Sequence, residues 1–235
     1  MRKSRFISIL AAMVLAGSVS AQPVQGDLVL TSQGSAAGVY FLSGTSMVLR
    51  TLLPNFVTSG VKTTHNNGSV HVIGGNTGNI YKLDARGSLY TITTSTPQGG
   101  AAMELDQDGS YMVVNSFNRI LYRLQGNSPF VYLTLTSSHG SPNAICRDGN
   151  TGDWIIGTTM NGRLYRVNRE TREITTLYSG SAMSSIFGVA FMPQTGEFAV
   201  VRSRMGYTTL FEELAIIRSS GSVHYTRQIE NAGKA

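Results

Sequence analysis

The chain has 235 residues, of which 19 are lysine or arginine and 13 are aspartate or glutamate, giving a formal net charge of +6. Charged residues make up only 14% of the sequence, glycine contributes 26 residues, and short runs of Val, Ile, Thr, Tyr and Ser alternate with Gly and Asn. This composition favours one large all-β domain over two ordinary domains.

The N-terminus predicts a signal peptide over residues 1–21. Three basic residues precede an apolar run of 11 residues (6–16), and small residues lead to Ala21, after which we expect cleavage. The run is too short to span a bilayer and no second run follows, so no membrane span is expected. The mature chain, residues 22–235, is therefore predicted to be secreted or periplasmic.

The predicted cleavage lowers the net positive charge of the chain. Three basic residues and no acidic one leave with the signal, so 16 basic and 13 acidic residues remain. No cluster of Lys and Arg survives, and nucleic-acid binding is not expected. Cys146, the single cysteine, lies in a strand-like context and is interpreted as a buried thiol rather than a reactive one.

A short pattern of two aliphatic residues, one variable residue and one small residue recurs five times along the chain. Successive copies are 43, 41, 42 and 45 residues apart. The copies are LVLTS (28–32), HVIGG (71–75), MVVNS (112–116), WIIGT (154–158) and AVVRS (199–203). Such a period is the signature of a repeat architecture.

A second pattern, carrying a tyrosine, follows the first four copies after a polar corner. The tyrosines are 41, 41 and 43 residues apart, and Ala215 takes the equivalent place in the fifth unit. They are Tyr40, Tyr81, Tyr122 and Tyr165. Further strand-like runs begin and close the units, so each unit of about 42 residues reads as four short strands joined by tight turns.

A four-stranded unit of this length is a β-propeller blade, which buries its two apolar faces against its neighbours. A β-sandwich would not repeat its sequence at this period. We therefore predict a single propeller domain of about five blades. The predicted repeats are 27–56, 60–96, 100–137, 141–180 and 185–230.

The stretch LDQDGSYMVVNSFNRILYRL (105–124) resembles a blade of the NHL, SMP-30/gluconolactonase and virginiamycin B lyase-like propellers. The resemblance covers roughly residues 27–229 and implies the architecture rather than one activity. The first unit lacks its own first strand. Five blades could close a small ring, form an open arc that pairs its edges with a second chain, or belong to a longer reading frame, so a monomer and an edge-paired dimer both stay open.

The resemblance also implies where a site would lie. In catalytic relatives, residues near the second-strand corner supply acidic or amide ligands to a divalent cation. The equivalent column here contains no carboxylate. It consists of Thr31, Gly74, Asn115, Gly157 and Arg202.

One acid, Glu104, is a candidate ligand in a first strand, where we align it with Thr63, Cys146 and Ala190. Together with Asn115 and Asn143 it resembles the Glu and Asn part of a gluconolactonase-like cation shell. Under that alternative the chain would be a lactonase or hydrolase that uses Ca²⁺ or Zn²⁺; otherwise no cofactor is predicted. The competing interpretation makes Glu104 a solvated or locally paired residue.

The corner asparagines have a structural interpretation as well. Asn161-Gly162 is typical of a type I′ hairpin turn, and Asn118 stands at the same offset from its tyrosine. Asn tolerates positive φ and bonds its own backbone, so both are predicted to form turns. Asn115 remains a candidate ligand, because it occupies the column in which the catalytic relatives place a cation ligand.

The fifth unit departs most from the others, because its corner, RMGYTTLFEE (204–213), is longer. We expect an extended loop in which Arg202, Arg204 and Tyr207 contact a ligand, or else a variable insertion that caps the channel.

The leading hypothesis is an exported propeller that binds a small molecule, glycan or protein through its channel-mouth face. The cation-dependent lactonase or hydrolase is the second hypothesis, and an incomplete gene product without independent function the third. No residue is assigned a catalytic role.

Overall fold

The computed structural model describes residues 28–31, 38–43, 46–52, 58–63, 69–74, 77–84, 88–93, 96–180, 184–205 and 210–229. These residues form sheets in which each strand pairs with the next one along the chain. The predicted signal peptide lies outside them. Among the described residues, no helix has the length and apolar character needed to cross a membrane.

Five sheets follow one another in sequence, and we number them as blades 1 to 5. Blade 1 has three strands: β1 (Leu28–Thr31), β2 (Gly38–Ser43) and β3 (Ser46–Leu52). Blade 2 contains β4 (Thr58–Thr63), β5 (Val70–Gly74), β6 (Ile80–Leu83) and β7 (Leu89–Thr93). Blade 3 contains β8 (Gly100–Leu105), β9 (Tyr111–Asn115), β10 (Ile120–Gln125) and β11 (Ser128–Thr134).

The last two blades have the same order. Blade 4 contains β12 (Ser141–Arg147), β13 (Trp154–Thr159), β14 (Arg163–Val167) and β15 (Ile174–Ser179). Blade 5 contains β16 (Ser185–Met192), β17 (Glu197–Met205), β18 (Leu210–Ile217) and β19 (Val223–Ile229). A short 3₁₀ turn, Ser137–His139, precedes β12.

The chain separates into two compact units. The first consists of Met1–Gly100 with Leu124–Pro129, and the second of Ala101–Arg123 with Phe130–Ala235. The second unit contains most of blade 3 and all of blades 4 and 5. A larger share of its residues is described than of the first unit.

The predicted repeat is confirmed strand by strand. The recurrent aliphatic segments form β1, β5, β9, β13 and β17, the second position of each blade. The tyrosines lie in the following strand, and in blade 5 Ala215 of β18 pairs with Val200 as predicted for the equivalent place. Four blades have four strands, whereas blade 1 shows three among the described residues, in line with the first strand that its sequence lacks.

Burial explains why the pattern recurs. All five residues of β9 and the first five of β13 are buried. β13 is buried because blades 3 and 5 cover its two faces. Trp154 and Ile156 pack with residues of blade 3, whereas Ile155 packs with Phe198 of blade 5. Each such side chain contributes roughly 1.5–3 kcal/mol by leaving water. Cys146 is buried in the same layer, as predicted.

Candidate functional site

In the second unit, the corners after the second strand and the connections between blades lie at one end of the sheets. Leu135 N–H donates to the carbonyl of Arg119 at 2.8 Å, which joins the blade 3 corner to the connection that follows. Asn161 Nδ2 donates to the carbonyl of His139 at 2.9 Å, which joins that connection to the blade 4 corner. We call residues 116–119, 135–141, 158–163 and 184–185 the corner face.

Asn115 shapes the blade 3 corner. It is fully buried, and its Oδ1 accepts the backbone N–H groups of Phe117 at 3.0 Å and Asn118 at 3.2 Å. Asn118 Oδ1 in turn accepts the N–H of Ile120, and its Nδ2 donates to the hydroxyl of Tyr122 at 2.9 Å. The amide oxygen that a cation would need from Asn115 therefore already serves the turn.

The asparagines form turns as predicted, but the type I′ turn predicted at Asn161-Gly162 is wrong, and neither Asn118 nor Asn161 has positive φ. At the blade 3 corner the left-handed residue is Arg119, with φ of 60°. At the blade 4 corner the left-handed residues are Met160 at 72° and Gly162 at 54°. Asn161-Gly162 is therefore not the central pair of a type I′ turn, since that turn needs positive φ at both residues.

Two apolar side chains at these corners point into solvent. Phe117 and Met160 each keep 75% of their surface exposed, more than any other large hydrophobic residue among those described. They occupy the same corner in adjacent blades. Their exposure was not predicted from the sequence, and the available signal was an apolar residue next to a turn-forming asparagine.

Of the three residues in the predicted cation set, Asn143 has a structural role. It is the extra residue where the pairing of β12 and β13 shifts register, and its Nδ2 donates to the carbonyl of Ile186 in blade 5 at 3.3 Å. Glu104 is buried in β8. Among the described residues, no three His, Cys, Asp or Glu side chains group closely enough to hold a metal ion.

The alignment that placed Thr63, Cys146 and Ala190 in one column is wrong. Cys146 pairs with Ile155, the residue of the aliphatic segment on which the repeats were aligned. Thr63 pairs with Val70, two residues before its counterpart in β5, and Ala190 pairs with Ala199, one residue before its counterpart in β17. Each of these strand pairs has one register shift near the start of its first strand, so the shift is common to the three blades and the mismatch lies in the sequence alignment itself.

The predicted long loop of blade 5 is largely a hairpin, because the pairing of β17 and β18 continues to Met205 and Leu210. Arg202 lies in the paired part and is buried. Its Nε donates to Glu213 Oε1 at 2.6 Å, and its guanidinium lies over the ring of Tyr178 and donates to that hydroxyl. Arg202 thus holds blades 4 and 5 together.

The other two candidates of this hairpin can be placed only in part. Arg204 pairs with Phe211 along the backbone, and Tyr207 lies outside the described residues. Their proposed contact with a ligand stays a prediction.

The opposite end of the second unit, which we call the charged end, contains the turns 106–110, 148–153 and 168–173. Asp106 is buried there and faces three guanidinium groups, with Arg169 Nη2 at 3.1 Å, Arg123 Nη2 at 3.6 Å and Arg147 Nη1 at 3.9 Å. Asp108 adds a contact of 2.5 Å with Arg123. Hydrogen bonds from the hydroxyl and N–H of Ser110, followed by the charge of Arg123, lower the pKa of Asp108 to about 2.

The charged end continues across blade 4. Arg166 contacts Asp148 at 3.1 Å and Asp153 at 3.6 Å. Asp153 also accepts the N–H of Arg169, and the hydroxyl of Tyr132 donates to the carbonyl of Arg169 at 2.7 Å. These partners all belong to the protein, and each of the acids named here contacts an arginine, while Nε of Arg147 is buried without a hydrogen-bond partner in the described part of the chain.

Comparison with solved structures places the fold among the β-propellers. The nidogen/laminin complex aligns over 86% of this chain and 93% of that chain, with a TM-score of 0.62 and 12% identity. A streptogramin B lyase aligns over 88% and 66%, with a TM-score of 0.57 and 17% identity. An auxiliary nutrient binding protein from Bacteroides thetaiotaomicron aligns over 75% and 54%, with a TM-score of 0.58 and 11% identity.

Sequence comparison finds a partial relative, the protein strictosidine synthase-like 12 of Arabidopsis thaliana, which is 24% identical over 130 residues. The match covers 52% of this chain and 38% of that relative. No protein-family model matches the chain. The predicted resemblance to NHL-repeat and virginiamycin B lyase-like propellers is thus confirmed for the fold, and it leaves the activity open.

Proposed function

We propose that this chain is an exported β-propeller that binds a ligand through its corner face. The observation that carries the proposal is the exposure of Phe117 and Met160 at equivalent corners of adjacent blades. Neither side chain supports the core, and each leaves apolar surface in water, which is a cost that a binding partner would remove.

The backbone at Met160 strengthens the argument. A side chain in the left-handed region costs roughly 1–2 kcal/mol, and glycine or asparagine is the usual occupant. A long apolar side chain at φ of 72°, exposed to solvent, improves neither the turn nor the packing. Strain of this kind at an exposed position is typical of a functional surface.

The structural neighbours are compatible with binding. One was solved as a nidogen/laminin complex and another is described as an auxiliary nutrient binding protein. Similarity of fold at this identity transfers no ligand, so a small molecule, a glycan and a protein are all retained. Export rests on the predicted signal peptide over residues 1–21.

Photo-crosslinking tests the proposal directly. A photoreactive phenylalanine analogue would replace Phe117 in one variant and Phe130, an exposed residue of β11, in the matched control. After irradiation in the extracellular fraction of the source organism, adducts are expected from position 117 and not from position 130. Equal adduct formation at both positions, or none at position 117, would contradict binding at the corner face.

A cation-dependent lactonase or hydrolase is the second candidate, supported by the burial of an acid, Glu104, in β8. Stoichiometric Ca²⁺ or Zn²⁺ whose removal lowers the melting temperature, with both effects abolished in Glu104→Gln, would support it. A protein that contains no Ca²⁺ or Zn²⁺, and whose melting temperature does not change after treatment with a chelator, would rule it out.

A further inference from the structure

The composition of the corner face indicates what kind of partner it fits, and this step rests on the proposed function. The described residues of the face include Phe117, Met160, Arg119 and Arg163 and contain no Lys, Asp or Glu. Aromatic residues, Met and Arg are enriched at protein interfaces, whereas Lys, Asp and Glu are depleted. The flexible methionine suits a protein side chain better than the flat face of a sugar ring.

Most polar side chains of the face are engaged within the protein. Thr158 Oγ1 donates to Asn161 Oδ1 at 2.6 Å, and Asn161 Nδ2 is held by the carbonyl of His139. Thr136 Oγ1 lies 2.6 Å from His139 Nδ1. Groups already occupied in this way offer little to the many hydroxyls of a glycan, which would need them as partners.

The charges of the face are unbalanced. Arg163 makes one long hydrogen bond, 3.4 Å, to the hydroxyl of Tyr165, and Nε of Arg119 is buried without a partner in the described part of the chain. The carboxylates that face arginines in blades 3 and 4 are Asp106, Asp108, Asp148 and Asp153, all at the charged end. Two cations without acidic residues beside them favour a negatively charged partner.

We propose that the corner face binds a protein segment in which an apolar side chain is flanked by aspartate or glutamate. The apolar side chain packs against Phe117 and Met160, and the flanking carboxylates lie near Arg119 and Arg163. Anchors of this type concentrate binding energy in a few side chains, while the charges set specificity.

A peptide selection tests this proposal. A library of 12-residue peptides displayed on phage is selected on the purified full chain, with the double variant Phe117→Ser/Met160→Ser as the counter-target. The matched control is Phe130→Ser/Val131→Ser, which removes two exposed apolar residues of the outer strand β11. The circular dichroism spectrum and the urea midpoint of each variant confirm that it is folded.

The expected result is a set of peptides enriched in apolar residues next to Asp or Glu. Their affinity falls at least about tenfold in the corner variant and stays within about twofold in the control. Replacing both Arg119 and Arg163 by Gln weakens binding, and higher salt weakens it further in the native chain.

Three outcomes overturn the proposal. Selected peptides that lack acidic residues would contradict the proposed role of Asp or Glu. Peptides that bind the corner variant as tightly as the native chain would contradict binding at Phe117 and Met160. Failure to select any peptide does so too. If a glycan array then shows binding that the corner variant loses, the corner face remains the binding site and only the partner class is wrong; if adducts also fail to form at position 117, the proposed function falls with it.

Discussion

The turns at the two ends of the second unit are built from similar lengths of chain but end in different chemistry. At the charged end, Asp106 forms ion pairs with three arginines of the same unit. At the corner face, the backbone turns are equally well hydrogen bonded, yet Phe117 and Met160 stand in solvent. A turn whose side chains form contacts within the protein contributes to stability. A turn that exposes apolar side chains, or that places a non-glycine residue at positive φ, is a candidate for recognition.

The largest expected effect is at the charged end. Asp106→Ala leaves Arg123, Arg147 and Arg169 facing one another without their shared carboxylate, and also removes the acceptor of the Gln107 N–H. We expect a loss of about 3–5 kcal/mol in the free energy of unfolding, because removing one partner of a buried ion pair leaves charges uncompensated. Urea unfolding measures it.

Asp108→Ala is the matched control, since Asp108 also contacts Arg123 but its side chain is 44% exposed. Solvent screens such a pair, so the expected loss is below about 1 kcal/mol. Similar losses for the two variants would mean that burial does not distinguish them and that the charged end is not a buried network.

Arg202 tests whether the two ends really differ, because it is a buried, internally paired charge in the corner-side hairpin of blade 5. Arg202→Met leaves Glu213 buried without its partner and is expected to cost about 3 kcal/mol. The double variant Arg202→Met/Glu213→Leu should recover to within about 1 kcal/mol of the native chain. If the double variant is no more stable than Arg202→Met, the contact with Tyr178 rather than the ion pair holds the blades.

Acid stability distinguishes the charged end from His71 of blade 2. Burial, followed by the charge of Lys82, lowers the pKa of His71 from 6.5 to about 4. Between these pH values the unfolded chain binds a proton that the folded chain does not, so stability falls by about 3 kcal/mol as pH falls from 6.5 to 4 and levels off below that. The pKa of Asp108, about 2, keeps that carboxylate charged throughout this window.

Urea midpoints measured from pH 7.5 to pH 4 check the assignment. His71→Gln should remove most of the pH dependence in this window, whatever its effect at neutral pH, and Asp108→Ala should retain it. The opposite pattern would assign the acid sensitivity to the charged end.

The fold was predictable from the sequence because every blade meets the same physical demand. The second strand must bury both faces, so aliphatic pairs recur at Val72, Val113, Ile155 and Val200, and the period follows from the length of one blade. The three strands of blade 1 among the described residues agree with the sequence prediction, in which blade 1 lacks its own first strand.

The candidate site was less predictable, because it depends on contacts that sequence spacing does not encode. Arg202 meets Tyr178 from the preceding blade, 24 residues away, and Asn143 is the extra residue of a register shift in β12. Asparagine preference suggested the left-handed positions, yet Arg119 and Met160 occupy them. The exposure of Phe117 and Met160 was not predictable, since an apolar residue ordinarily predicts the core.

The smallest expected effect is the sharpest test of the comparison, because each end contains a residue with positive φ. At the charged end, Arg172 has φ of 62°, and its guanidinium carbon lies 5.0 Å from the ring centroid of Tyr132. At the corner face, Met160 has φ of 72° and a side chain that is 75% exposed. Arg172 thus has an internal contact that compensates for its backbone conformation, whereas the side chain of Met160 stands mostly in solvent.

Met160→Gly relieves a left-handed strain of about 1–2 kcal/mol and adds about 0.5–1 kcal/mol of backbone entropy to the unfolded chain, so a net gain of about 0.5–1 kcal/mol is expected. Arg172→Gly relieves similar strain but loses a cation–π contact of about 0.5–1 kcal/mol, so its stability should change little. Urea midpoints of both variants decide the point. If Met160→Gly is more stable and no longer binds the selected peptides, methionine is kept at this corner for recognition at the expense of stability. If Met160→Gly is less stable, Met160 supports the fold, as Arg172 does.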